Sequence, residues 1–152
     1  MKNSYPTIIL RHRKENLKKC SLQPLVNDPN MIFFTYPKNH LPEKENYILL
    51  SFEGKELSED DHDKGIFLID GTWNLAKKMA STIKFNPIQR SLPKHYRTAY
   101  PRYQTGCPNP AIGLSSIEAL YVAYKIQGRK ADHLLKDYHF KDEFLKINDF
   151  TS

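Results

Sequence analysis

Four short apolar runs mark the first half of the chain: Thr7 to Leu10, Met31 to Tyr36, Tyr47 to Phe52 and Gly65 to Ile69. They are continuously hydrophobic rather than alternating, the pattern of strands covered on both faces in a largely parallel sheet. PKNHLPEKEN, between the second and third runs, holds two prolines and reads as a turn-rich connector. GKELSEDDHDKG, before the fourth, is acidic and reads as an exposed loop. It is the natural seam between an N-terminal half (1–63) and a C-terminal half (64–152).

After Ile69 the period changes. Trp73, Ala76, Lys77 and Ala80 fall at helical spacing with Leu75 and Met79 beside them, so a strand runs into a helix through a tight Asp70-Gly71 turn. Asn86 to Pro110 is rich in proline, basic and aromatic residues and reads as irregular. SSIEALYVAYKIQG then predicts a second helix, with Ser115 and Glu118 forming a capping box and Gly128 supplying the stop. Apolar residues surround that helix almost completely, which predicts burial. The tail from Ala131 is amphipathic and predicts a last helix.

Composition narrows the class. Of 152 residues 39% are hydrophobic, enough for a core, so the chain is expected to fold as one domain or two small halves. No apolar run approaches the roughly 20 residues that cross a bilayer. The three-residue apolar stretch in MKNSYPTIILRHRKEN does not suit a signal peptide, so the default expectation is a soluble cytoplasmic protein. The formal charge of +6 is segregated. Arg11, Arg13, Lys14, Lys18 and Lys19 crowd one segment; Arg90, Lys94, Arg97 and Arg102 crowd another, interleaved with Tyr96, Tyr100 and Tyr103. That arrangement suits an RNA-facing side, with cations on phosphates and tyrosines stacked on unpaired bases. The same tyrosines also suit a solvated loop anchored in the core.

Candidate chemistry is sparse. Asp70, Gly71, Thr72 and Trp73 stand at the end of a strand where a helix begins, the usual place for ligands in open α/β sheets. Ordinary capping by Asp70 or Thr72 and a core Trp73 fit the same residues. The capping box alone accounts for Ser115 and Glu118. The histidines are scattered without metal-binding spacing, and two cysteines, Cys20 and Cys107, are too few for a zinc site, so no metal is expected. There is no phosphate-binding glycine loop and no GxSxG. Cys20 beside Lys18 and Lys19 has no evident base partner.

Taken in order, four segments resemble a known family. LIDGTWNLAKKM is similar to the signature strand-turn-helix of DTW-domain proteins, and GLSSIEALYVAYKI to that family's later Ser-Thr-x-Glu-Ala helix. RSLPKHYRTAYP and NLKKCSLQPL resemble motifs of the related aminocarboxypropyltransferases that modify small-subunit ribosomal RNA. The resemblance implies a SPOUT-like α/β fold, a mostly parallel sheet with flanking helices and a C-terminal trefoil knot, working as a monomer. It implies S-adenosylmethionine (SAM) as cofactor and transfer of its 3-amino-3-carboxypropyl group to a uridine or pseudouridine nitrogen of tRNA or rRNA, with methylthioadenosine released. Asp70 would contact SAM or act as general base. Trp73 and Ala76 would wall off the methyl and the methionine arm, and Ser21 would contact the amino acid moiety. Backbone at Ile69, Leu92 and Leu114, with Ser115, would hold ribose and adenine. Arg11, Lys19, Arg97 and Arg102 would line the RNA approach. The N-terminal motif resembles the rRNA branch and the DGTW the tRNA branch, so both substrates stay open. A SPOUT-type RNA methyltransferase and a non-catalytic RNA-binding or ribosome-assembly factor are the rival readings.

Overall fold

The computed structural model describes residues 3, 5–12, 22–71, 73–99 and 114–150, with the side chain of residue 73 outside the description. The apolar runs become strands β1 (Thr7–His12), β2 (Met31–Tyr36), β3 (Tyr47–Glu56) and β4 (Gly65–Asp70). A fifth strand, β5 (Ile88–Ser91), lies in the stretch expected to be irregular. The sheet is parallel throughout, in the order β2-β1-β4-β3-β5. Strand β4, from the second half of the chain, slots between β1 and β3 from the first, so both halves build one sheet.

Alternation along the strands sorts the core into two faces. Ile8, Leu10, Leu49 and Phe67 pack on one side with Met79 of helix α1 (Trp73–Ser81). Ile9, Ile48, Ile66 and Leu68 pack on the other with Leu120, Tyr121 and Tyr124 of helix α2 (Ser116–Gln127). Every one of these strand residues is buried, which is why the runs carry no polar alternation. Helix α2 is closed as expected: Ser115 and Glu118 form a reciprocal capping box, and Gly128 takes the left-handed conformation at φ 78°.

The tail is a 3-10 turn (Asp132–Leu135) followed by helix α3 (Lys141–Ile147), both packed beside α2 through Leu134, Leu135 and Phe144. The acidic stretch departs from an exposed loop. Its first residues continue β3, and Ser58 caps a short 3-10 turn (Glu59–Asp61) with a capping box of its own. Asp61 is buried, paired with Arg90 at 3.1 Å, while its carbonyl accepts from Gln127 Nε2 at 2.8 Å. Arg90, one of the cations grouped with the basic-aromatic segment, is thereby committed inside the fold. The path through 100–113, on which a knot depends, lies outside the described residues. Among the described residues no helix is long and apolar enough to cross a membrane.

Candidate active site

Register and parity together build the site. Arg11 and Asp70 are the paired last residues of the β1–β4 ladder, and their side chains fall on the face shared by Ile9 and Leu68, the α2 face. Ile69, one residue earlier, falls on the α1 face. Asp70 therefore points at the first turn of α2, where Ser116 Oγ donates a short hydrogen bond to its Oδ1. Its other oxygen faces Arg11 Nε at 3.6 Å, an ion pair too long for a hydrogen bond.

The corner is closed from water. Asp70 is 5% exposed and Arg11 8%. The Arg11 guanidinium lies over the Phe33 ring at 4.8 Å, and among the described residues its Nε and Nη2 lack hydrogen-bond acceptors. Leaving two buried guanidinium donors unmet is costly, so their situation marks a place for an acceptor.

Glu118 is the second buried carboxylate here, with 0% exposure. Its Oε1 accepts from Thr98 Oγ1 at 2.6 Å and from the Ser115 amide at 2.8 Å. Its Oε2 accepts from the Ala99 amide and the Tyr138 hydroxyl, each at 2.9 Å. Beyond capping, then, Glu118 ties the segment after β5 and the tail to the start of α2. Among the described residues, two carboxylates and one guanidinium give the buried corner one excess negative charge, which the positive end of the α2 dipole partly offsets.

The structure gathers part of the expected set. Asp70, Ser115, Leu114 and Arg11 converge on the start of α2, while Ala76 lies on α1 with its amide 3.7 Å from where a Cβ on Gly71 would stand. That turn is tight: the same Cβ would come within 3.1 Å of Met79. Leu92 and Leu114 both pack against the α2-face core. Arg11, expected on the RNA approach, is instead buried, because β1 carries it to the same sheet end as Asp70. Arg97 is exposed, its backbone held by Asn148 at 2.7 Å and 2.8 Å. Tyr96 stacks on Phe150 at 5.4 Å, which is the core-anchored behaviour. Ser21, Lys19 and Arg102, the side chain of Trp73, and Thr72, Cys20 and Cys107 lie outside the described residues. Sequence reasoning missed Ser116, which looks like an ordinary first helical residue; only the approach of β4 gives it a partner.

No family model matches this chain, the DTW motifs included, and no curated protein matches it. Among solved structures it is similar to the SAM-dependent rRNA:acp-transferase Tsr3 from Vulcanisaeta distributa, at 23% identity and a TM-score of 0.71. The likeness covers 95% of this chain and 79% of that one, and it shows a common α/β fold.

Proposed function

We propose that this protein is a SAM-dependent RNA aminocarboxypropyltransferase. It transfers the 3-amino-3-carboxypropyl group to a uridine or pseudouridine nitrogen in rRNA or tRNA, on a SPOUT-like framework with a C-terminal trefoil knot. The carrying observation is the buried corner of Asp70, Arg11 and Ser116 at the strand ends, in a chain sharing its fold with an enzyme of that activity.

The residues suit the cofactor. SAM carries one net positive charge, from its sulfonium and ammonium against a single carboxylate, and the described residues of the corner carry one excess negative charge. The Arg11 donors that lack acceptors among the described residues match the carboxylate, and Ser21 suits the amino acid moiety. Backbone at Ile69, Leu92 and Leu114, with Ser115, suits ribose and adenine, while Trp73 and Ala76 shield the methyl. Lys19, Arg97 and Arg102 suit the approaching RNA.

When bound, SAM supplies an electrophilic methylene next to sulfur. Asp70 would take the proton of the base nitrogen as that methylene is transferred from sulfur to nitrogen, methylthioadenosine being the leaving group. Arg11 and Ser116 hold Asp70 in one orientation, and burial keeps competing water away. The chemistry is chosen by which carbon faces the base.

The test is Asp70→Asn, used once thermal unfolding shows the variant folded. It is expected to retain SAM binding by calorimetry and to lose about 100-fold or more in turnover, as for removal of a general base. Normal turnover with intact SAM binding would show that Asp70 is not the base. S-adenosylhomocysteine as the product would favour the methyltransferase reading, and no SAM binding at millimolar concentration the RNA-binding factor.

A further inference from the structure

The opposite end of the sheet carries a polar pocket. Its wall comes from the turns preceding β1, β2 and β4 and from the C-terminal end of α2, and it encloses about 380 Å³. Asn3, His62, Gln127, Arg129, Lys130 and His133 are among its residues, and none of the described lining residues is acidic. Helix α2 separates it from the Asp70 corner by its 12 residues, about 18 Å.

Two side chains in this wall are incompletely used. Gln127 Nε2 donates to the carbonyls of Asp61 at 2.8 Å and Lys64 at 2.9 Å, spending both of its protons and fixing the amide's orientation. Among the described residues its Oε1 is left a buried acceptor without a donor. The Arg129 guanidinium lies over the Tyr124 ring at 4.0 Å, and its Nη2 donates to the Tyr5 carbonyl at 3.1 Å. Among the described residues its Nη1 is buried with no acceptor and no carboxylate pairs with it. Desolvation lowers the Arg129 pKa, and the charges that oppose the shift are tyrosines, not acids. The pocket thus lacks a negative charge on one side and a hydroxyl or amino donor on the other.

We propose that this pocket binds a phosphorylated ribose: Arg129 and Lys130, with His62 and His133, take the phosphate, and Gln127 Oε1 accepts from a sugar hydroxyl. A carboxylate would neutralise fewer of the cations, and bare phosphate would meet Gln127 only by turning a P–OH toward it. The ligand is either a free nucleotide or one unit of an RNA strand. The site stands apart from the Asp70 chemistry, and failure of aminocarboxypropyl transfer would leave it untouched.

The experiment is calorimetry on the full chain in saturating SAM, with ribose 5-phosphate, AMP, inorganic phosphate and a short oligoribonucleotide as probes. Amide NMR shifts at Gly128 and Lys130 locate the binding. Ribose 5-phosphate is expected to bind and to move those amides, and Lys130→Glu, an exposed position, is expected to weaken it about tenfold. Arg129→Met should do so at least as strongly. Tighter binding of AMP than of the oligoribonucleotide at this site would name a free nucleotide as the source, and the reverse an RNA strand. Inorganic phosphate bound as tightly as ribose 5-phosphate would overturn the sugar contact. Absence of binding by every phosphate probe, or binding unchanged by Lys130→Glu, would overturn the site.

Discussion

Replacing Glu118 by Gln probes the joint on which the candidate site is assembled. The carboxylate accepts four hydrogen bonds in full burial, two on each oxygen. Glutamine keeps one oxygen, which retains Thr98 and Ser115. The amide nitrogen then stands where Oε2 was, and although the Tyr138 hydroxyl can rotate to accept, the Ala99 N–H meets another N–H. One charge-assisted bond is lost, about 1.5–3 kcal/mol, and one buried donor is stranded, about 1–3 kcal/mol. The expected loss is therefore roughly 2.5–6 kcal/mol, a large share of the ~5–15 kcal/mol by which domains of this size are stable. Urea unfolding followed by fluorescence measures it, with Lys125→Gln on the exposed side of the same helix as a control expected within about 0.5 kcal/mol. Glu118→Gln indistinguishable from that control would refute the view that this carboxylate anchors the segment after β5.

Two glycines separate left-handed backbone from close approach. Gly54 has φ 87° and a Cβ there would stand 2.4 Å from the Gln89 carbonyl oxygen, whereas Gly128 has φ 78° and nothing within 4 Å. Gly128→Ala should cost about 1–2 kcal/mol by conformation alone, and Gly54→Ala clearly more; equal losses in thermal unfolding would contradict this. Burial raises the pKa of Tyr47, Tyr96, Tyr121 and Tyr124. The unfolded phenols ionise near pH ~10, so the stability these groups contribute is complete below that pH and is lost as pH rises through their higher folded values. Tyrosinate absorbance should show a fraction of the nine tyrosines titrating late, and uniform titration of all nine near the ordinary value would be the contrary result.

The strands were legible because doubly covered parallel strands leave unbroken apolar runs, and α2 was legible from both of its caps. Strand β5 was not: Ile-Gln-Arg-Ser has one apolar residue, Ile88 is 49% exposed, and the strand sits at the sheet edge held by β3. Period-based reading needs a buried face, and this strand barely has one. Asp61–Arg90 and Gln127, which lock the acidic stretch into the fold, join residues far apart in sequence and leave no local signature. The placement of β4 between β1 and β3 is likewise a property of topology, and it is what turns Arg11 from a surface cation into the partner of Asp70. Asp70 itself stood out by position, at a strand end before a helix. Its partner Ser116 did not, since the capping box already accounted for its neighbours.

The most direct measurement supplies the purified protein with unmodified small-subunit rRNA and tRNA in parallel, together with SAM labelled either on its carboxyl or on its methyl. Carboxyl label is expected to enter one of the two RNAs, with methyl label excluded and methylthioadenosine accumulating in equal amount. Methyl label entering the RNA, with S-adenosylhomocysteine as the product, would contradict aminocarboxypropyl transfer.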